Sequence, residues 1–162
     1  AQKYIRASSL SLNWLGLANP KNLSELEGAS IGREHLPRWL NKTQEDNNAL
    51  PPRYEALIRS IGSTNPARAK ITKQYLVDMQ DAVTEISRVL PNDGHVVFVV
   101  GNNTVSGEVL YNDDFLVDVC EARGLHLQLS LIDHIKSRGL MTKRNQTASV
   151  IDREAVLVFK KK

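Results

Sequence analysis

The spacing of apolar residues changes several times along this chain, and each change predicts an element. From Tyr4 to Leu17 it is helical, with Tyr4, Ser8, Leu12 and Leu15 on one stripe and Leu10, Trp14 and Leu17 beside it. Gly16 and Asn19-Pro20 end that helix. Leu23 to Leu40 reads as one or two short helices, interrupted by Gly28 and Ile31-Gly32. Asn41 to Pro52 is polar and reads as a surface loop or linker. Tyr54 to Ile61 is a short amphipathic helix stopped at Gly62. The clearest helix follows, capped by Asn65, opened by Pro66 and running to about Leu90. Its inward positions are Ile71, Tyr75, Met79, Ala82, Val83, Ile86, Val89 and Leu90.

Pro91-Asn92-Asp93-Gly94 then turns the chain into His95–Val100, a strand with no polar face over Val96-Val97-Phe98-Val99-Val100. Such a run belongs inside a mostly parallel sheet, with helices over both faces and a neighbour on each edge. The remaining strands are too few for that. Asn112 or Asp113 should cap a further helix, with Phe115, Leu116, Val119 and Cys120 inward and Gly124 at its end. Leu125 to Ile135 alternates, placing Leu125, Leu127, Leu129 and Leu131 on one side and His126, Gln128 and Ser130 on the other. A basic loop spans Lys136 to Ser149, Glu154 to Phe159 forms a last apolar strand, and Lys160 to Lys162 reads as a solvated tail. Two parts result: a helical segment, 1–62, and an α/β part, 63–162.

Composition narrows the class. With 162 residues, 41% hydrophobic and 24% charged, the chain is long enough for one ordinary globular domain. No apolar run approaches the roughly 20 residues of a membrane helix. Ala1-Gln2-Lys3-Tyr4 does not open a signal peptide. Cys120 is the only cysteine, which excludes an internal disulfide, rules out a thiolate zinc site and fits a reducing compartment. Its apolar setting marks it as core rather than nucleophile.

Charge is uneven. Residues 1–70 hold ten Lys/Arg and six Asp/Glu (+4), residues 71–132 hold three and nine (−6), and residues 133–162 hold eight and three (+5). Two basic ends thus flank an acidic middle, either as ordinary surface scatter or as two surfaces converging on a polyanion.

Several chemistries lack their motifs. No Gly-x-Gly phosphate loop and no Gly-x-Ser-x-Gly elbow occurs, and His35, His95, His126 and His134 lack metal-ligand spacing. We expect no metal. Gly101-Asn102-Asn103-Thr104 follows the buried strand, where open parallel sheets bind ligands. Asn102 and Asn103 suit a base edge or a ribose, and the same tetrapeptide also suits a plain turn. Lys136, Arg138, Lys143, Arg144 and Asn145 fit either a solvated hairpin or a finger that contacts phosphates. Arg6, Arg33, Arg38 and Lys42 would add to the finger if their helices pack on the same side. Trp14 and Trp39 are better read as core or cover than as base-stacking platforms.

One combination carries a family resemblance. Arg88-Val89-Leu90-Pro91-Asn92-Asp93-Gly94 before a Val-rich strand resembles the entry to the fifth strand of class I S-adenosylmethionine-dependent methyltransferases. The ending is similar too: a helix closing at Gly124, then two strands joined by a loop. More narrowly, Tyr4-Ile5-Arg6, Leu12-x-Trp14-Leu15-Gly16, Ile31-Gly32-Arg33-Glu34, Val100-Gly101-Asn102, Gly107, Ser137-Arg138 and Arg144-Asn145 look like prokaryotic site-specific DNA methyltransferases of the Ser-Pro-Pro-Tyr type.

The resemblance implies a Rossmann-like α/β fold of which this chain holds strands five to seven and their flanking helices, the last strand inserted antiparallel beside the fifth. The sheet would be incomplete within the chain. The family's Gly-rich cofactor loop and Ser-Pro-Pro-Tyr motif would precede Ala1. Pro51-Pro52-Arg53-Tyr54 is a decoy, with Leu50 where a polar residue belongs and Arg53 displacing the aromatic.

The implied reaction, of the restriction–modification kind, moves a methyl group from S-adenosylmethionine to an exocyclic amine of adenine or cytosine on a flipped-out base. Tyr4, Arg6, Asn102 and Asn103 would wall the base pocket, and Lys136, Arg138, Lys143 and Arg144 would grip the DNA backbone. No catalytic residue is expected within the chain, and the chain alone should not hold S-adenosylmethionine. Its partners would be double-stranded DNA and a second body, either the N-terminal half or another copy, covering the free edge of strand 95–100. The setting would be a prokaryotic cytoplasm, at the nucleoid. An RNA methyltransferase half of the same fold, or a non-enzymatic nucleic-acid-binding or interaction domain, are the alternatives.

Overall fold

The computed structural model describes residues 4–19, 21–33, 49–135 and 153–162. The basic loop with Lys136, Arg138, Lys143, Arg144 and Asn145 lies outside the described residues, as do Arg38, Trp39, Lys42 and the polar stretch before Ala49. Three short helices come first: α1 (Tyr4–Ala7), α2 (Ser9–Trp14) and α3 (Leu23–Ala29). The helix expected over Tyr4–Leu17 is therefore broken at Ser8 and ends at Trp14. Trp14 is 91% exposed, contrary to its expected place in a core, and Leu10, Leu15 and Leu17 are exposed with it.

α4 (Pro52–Thr64) and α5 (Pro66–Val89) form a tight pair. α4 runs through Gly62 instead of stopping there, because one glycine weakens a helix without ending it. The end comes at Asn65-Pro66: a proline disfavours helical backbone in the residue before it, and Asn65 is extended at φ −149°. The Asn65 side chain accepts a hydrogen bond from the Arg68 amide at 3.0 Å, and Pro66 sits where its absent N–H is not needed. α5 buries Ala69, Thr72, Leu76, Val77, Gln80 and Val83, a stripe at spacings of three and four.

The turn at Pro91–Gly94 leads into β1 (His95–Val100). A hairpin that the sequence reading did not contain follows, β2 (Asn103–Val105) and β3 (Glu108–Leu110). Then come α6 (Asn112–Glu121), β4 (Leu125–His134) and β5 (Arg153–Lys161). The main sheet has the order β1-β5-β4, with β5 antiparallel to both neighbours. The architecture is thus α/β with a small antiparallel sheet. Among the described residues no strand pairs with the other edge of β1.

β5 reaches Lys161, so Lys160 and Lys161 are strand and not tail. Lys161 also fastens the chain. Its backbone N–H donates to Gly94 O at 2.9 Å and its carbonyl accepts from the Asp93 N–H at 3.0 Å. Its ammonium donates to Ser87 O and Leu90 O, at 2.6 and 2.8 Å, where α5 leaves carbonyls unpaired.

One face of the sheet carries Val96, Phe98, Val100, Leu127, Ala155, Leu157 and Phe159 and packs with α4, α5 and α6 into a single core. Cys120 is wholly buried there, as expected. The other face is open. Val97 is 56% and Val99 62% exposed, opposite Val158 and Val156. A β-bulge at Gln128 enlarges that open face. Leu127 pairs with Phe159, but Leu129 pairs with Val158, so the strand parity flips. Leu129 and Leu131 therefore leave the side of Leu125 and Leu127, against the alternation expected of them. Among the described residues no helix is long and apolar enough to cross a membrane.

Gly94 closes the turn before β1. A Cβ there would lie 2.7 Å from Pro91 O and 2.9 Å from the Leu90 side chain. We expect Gly94→Ala to destabilise the chain by about 1–3 kcal/mol. A lower urea midpoint at unchanged slope checks it.

Candidate functional site

The residues after β1 form a small polar notch. Gly101 and Asn102 leave the strand, the β2–β3 hairpin rises, and the chain returns at Asn112 to start α6. The hairpin turns through Ser106 and Gly107, both with positive φ (51° and 90°), the backbone of a two-residue turn matched to strand twist. Ser60 of α4 donates to Glu108 at 2.6 Å and holds the hairpin from outside.

Asn112 organises the notch. It is buried, and its Nδ2 donates to Gly101 O at 2.8 Å and to Asn103 Oδ1 at 3.1 Å. A carbonyl acceptor can be met only by N–H, so the first bond fixes the orientation of the Asn112 amide, and the second then fixes that of Asn103. Asn102 Oδ1 accepts from the Asp113 backbone N–H at 3.3 Å. The expected capping is therefore reversed. Neither Asn112 nor Asp113 caps α6; the N-cap position is Tyr111, without a side-chain bond, and Asn102 reaches across to satisfy an orphan amide.

Asn102 and Asn103 are thus brought together, and both have an oxygen committed to the architecture. Their Nδ2 groups are the donors that this notch could offer to a ligand. Asp113 and Asp114 stand in the first turn of α6 beside it. Two carboxylates oppose a phosphate, so the chemistry favours a neutral polar ligand with acceptor atoms. Tyr4 and Arg6 belong to α1, but their side chains lie outside the described residues.

Behind the notch, Tyr54 meets Phe115 edge-on, with centroids 4.9 Å apart. The Arg53 guanidinium lies 4.7 Å from the centre of the Tyr54 ring and pairs with Asp118 at 2.6 Å, tying α4 to α6. Burial pushes the Tyr54 hydroxyl well above the usual tyrosine range, so it stays protonated. Burial likewise pushes the Cys120 thiol up to about 12, the opposite of what an activated nucleophile needs. No His/Cys/Asp/Glu cluster suited to a metal occurs among the described residues.

Asn112 and Glu108 are the residues that sequence reasoning missed. Ser106-Gly107 between Thr104-Val105 and Val109-Leu110 was the available signal, since a Gly-containing pair between β-branched residues marks a hairpin.

No protein-family profile matches the chain, and no curated protein matches it. Among solved structures it is similar to a candidate DNA modification methylase from Thermus thermophilus. The selenomethionine derivative of that protein gives a TM-score of 0.44 at 19% identity, over 68% of this chain and 41% of that one. The complex with S-adenosyl-L-methionine gives 0.43 at 20%, over 57% and 39%. The matched region thus spans about two fifths of the length of the solved chains. Both solved chains carry the description of a DNA modification methylase.

Replacing Asn112 tests the notch. Asn112→Ala should destabilise the chain by about 1–3 kcal/mol, because Gly101 O is left without its partner. Asn112→Asp keeps the shape but can donate only when protonated. Its penalty, followed by thermal melting, should shrink as pH falls below the pKa of the new carboxyl.

Proposed function

We propose that this chain is the C-terminal part of an S-adenosylmethionine-dependent DNA methyltransferase acting on an exocyclic amine of adenine or cytosine, in a prokaryotic cytoplasm. What carries the reading is the strand order β1-β5-β4, with the last strand antiparallel between the other two. The sequence resemblance implied the last strand inserted antiparallel beside the fifth. Among the described residues β1 has an unpaired edge and the sheet an open face, and both suit a reading in which further protein covers them. In this reading that protein is the half bearing the Gly-rich loop and the Ser-Pro-Pro-Tyr motif.

The chain's own residues would then bind and orient. Asn102 and Asn103 would donate to acceptor atoms on the edge of the flipped base. Tyr4 and Arg6 would stand at the rim. Lys136, Arg138, Lys143 and Arg144 are assigned to DNA phosphates by their sequence. No Gly-x-Gly pair follows β1, so this reading assigns the cofactor loop to the other half. Methyl transfer therefore waits on the other half.

The decisive experiment joins this chain to a segment of its own gene carrying those two motifs and follows labelled methyl groups. Transfer to duplex DNA is the expected result. Transfer to RNA alone would favour an RNA methyltransferase, and a gene without those motifs would favour an interaction domain.

The chain alone should show no saturable binding of S-adenosylmethionine at low micromolar concentration by calorimetry. It should bind duplex DNA weakly, with affinity that falls as salt rises. Lys143→Ala with Arg144→Ala should reduce the salt slope by about one for each phosphate no longer held. An unchanged slope clears that loop of the role.

A further inference from the structure

The helical arm formed by α1, α2 and α3 has little of its own to hold it in place. Neither α2 nor α3 buries a residue, and α1 makes its main packing with α2 and α3. Within the described residues Ala18 is buried, and Gly32-Arg33 is one place where the arm meets the α/β body. Gly32, at φ +77°, brings the backbone against α5, where the Tyr75 ring lies 3.7 Å from the position of a Cβ.

Arg33 then links two helices. One guanidinium nitrogen donates to Gly28 O in α3. The other donates to Asp78 Oδ2 in the middle of α5 at 2.9 Å. Gln74, one turn earlier, donates to Asp78 Oδ1 at 2.7 Å and holds the carboxylate in place. The two charged side chains are only 11% and 19% exposed, so their attraction is poorly screened. The penalty for breaking such a pair from one side is large, because a charge is left buried without a partner.

We propose that Arg33 is a positioning residue. Its pair with Asp78 latches the arm, residues 4–33, to α5 and so fixes where Tyr4 and Arg6 stand relative to the notch at Asn102. The meaning given to Tyr4 and Arg6 rests on the proposed function; the latch itself does not.

Hydrogen exchange followed by mass spectrometry on the full chain tests it. In Asp78→Asn, amides of residues 4–33 should exchange about tenfold faster or more, while α5, α6 and β5 keep their protection. Arg33→Lys retains the charge but loses the second arm to Gly28, and should fall between wild type and Asp78→Asn. Unchanged exchange in the arm overturns the proposal. So does a uniform loss of protection, or failure of Asp78→Asn to fold, since the pair would then hold the body and not the arm. Methyl transfer is not the readout, so the latch and the methyltransferase reading fail separately.

Discussion

The sheet depends on its last strand. β5 supplies every hydrogen-bonded link between β1 and β4, and it carries Ala155, Leu157 and Phe159 into the core. Lys161 then ties its end to both the turn before β1 and the end of α5. A strand that closes a structure from the C-terminus makes its contacts across long stretches of sequence. Loop-closure entropy must be overcome before those contacts form. α4 and α5, consecutive in sequence and packed on each other, depend on such closure less.

The same strand gives the molecule its two sides. Where α4, α5 and α6 cover the sheet, side chains interdigitate into one core. The opposite side carries Val97, Val99, Leu129 and Leu131 and is bare among the described residues. The polar notch sits at the end of β1, where the chain leaves the sheet. The hydrogen bonds of Asn112 set its shape, and its amide groups and acidic neighbours set its preference. A polar cluster and, among the described residues, an uncovered apolar surface thus lie on one small body.

Much of this was legible in the sequence, for definite reasons. α5 announced itself as a helix through Asn65-Pro66 and helical spacing, although its fully buried side is centred on Leu76, Val77 and Val83, and Val89 is exposed. β1 did so as a strand through its run of Val and Phe, although the cover expected on both faces is missing among the described residues, where Val97 and Val99 are exposed; the antiparallel place of β5 came with the family resemblance. The errors also have causes. Gln128 carries no mark of a bulge, so the leucines of β4 read as one continuous alternation. Lys160 and Lys161 read as tail because charge usually means solvent, whereas a long lysine side chain can serve strand and helix end together. At the notch, Asn102 and Asn103 were found as neighbours of the strand end. Asn112 was taken for a helix cap because an Asn before a helical stripe ordinarily is one.

The bulge at Gln128 also makes the two outer margins of the sheet unlike. On the β4 side the ladder is interrupted, the strand twist is increased, and Asp133 and His134 end the run, all features that discourage a newcomer. On the β1 side six residues pair in unbroken register with β5, and the ladder carries no irregularity. Growth of this sheet is therefore polar: a further strand is welcome beside β1 and hindered beside β4.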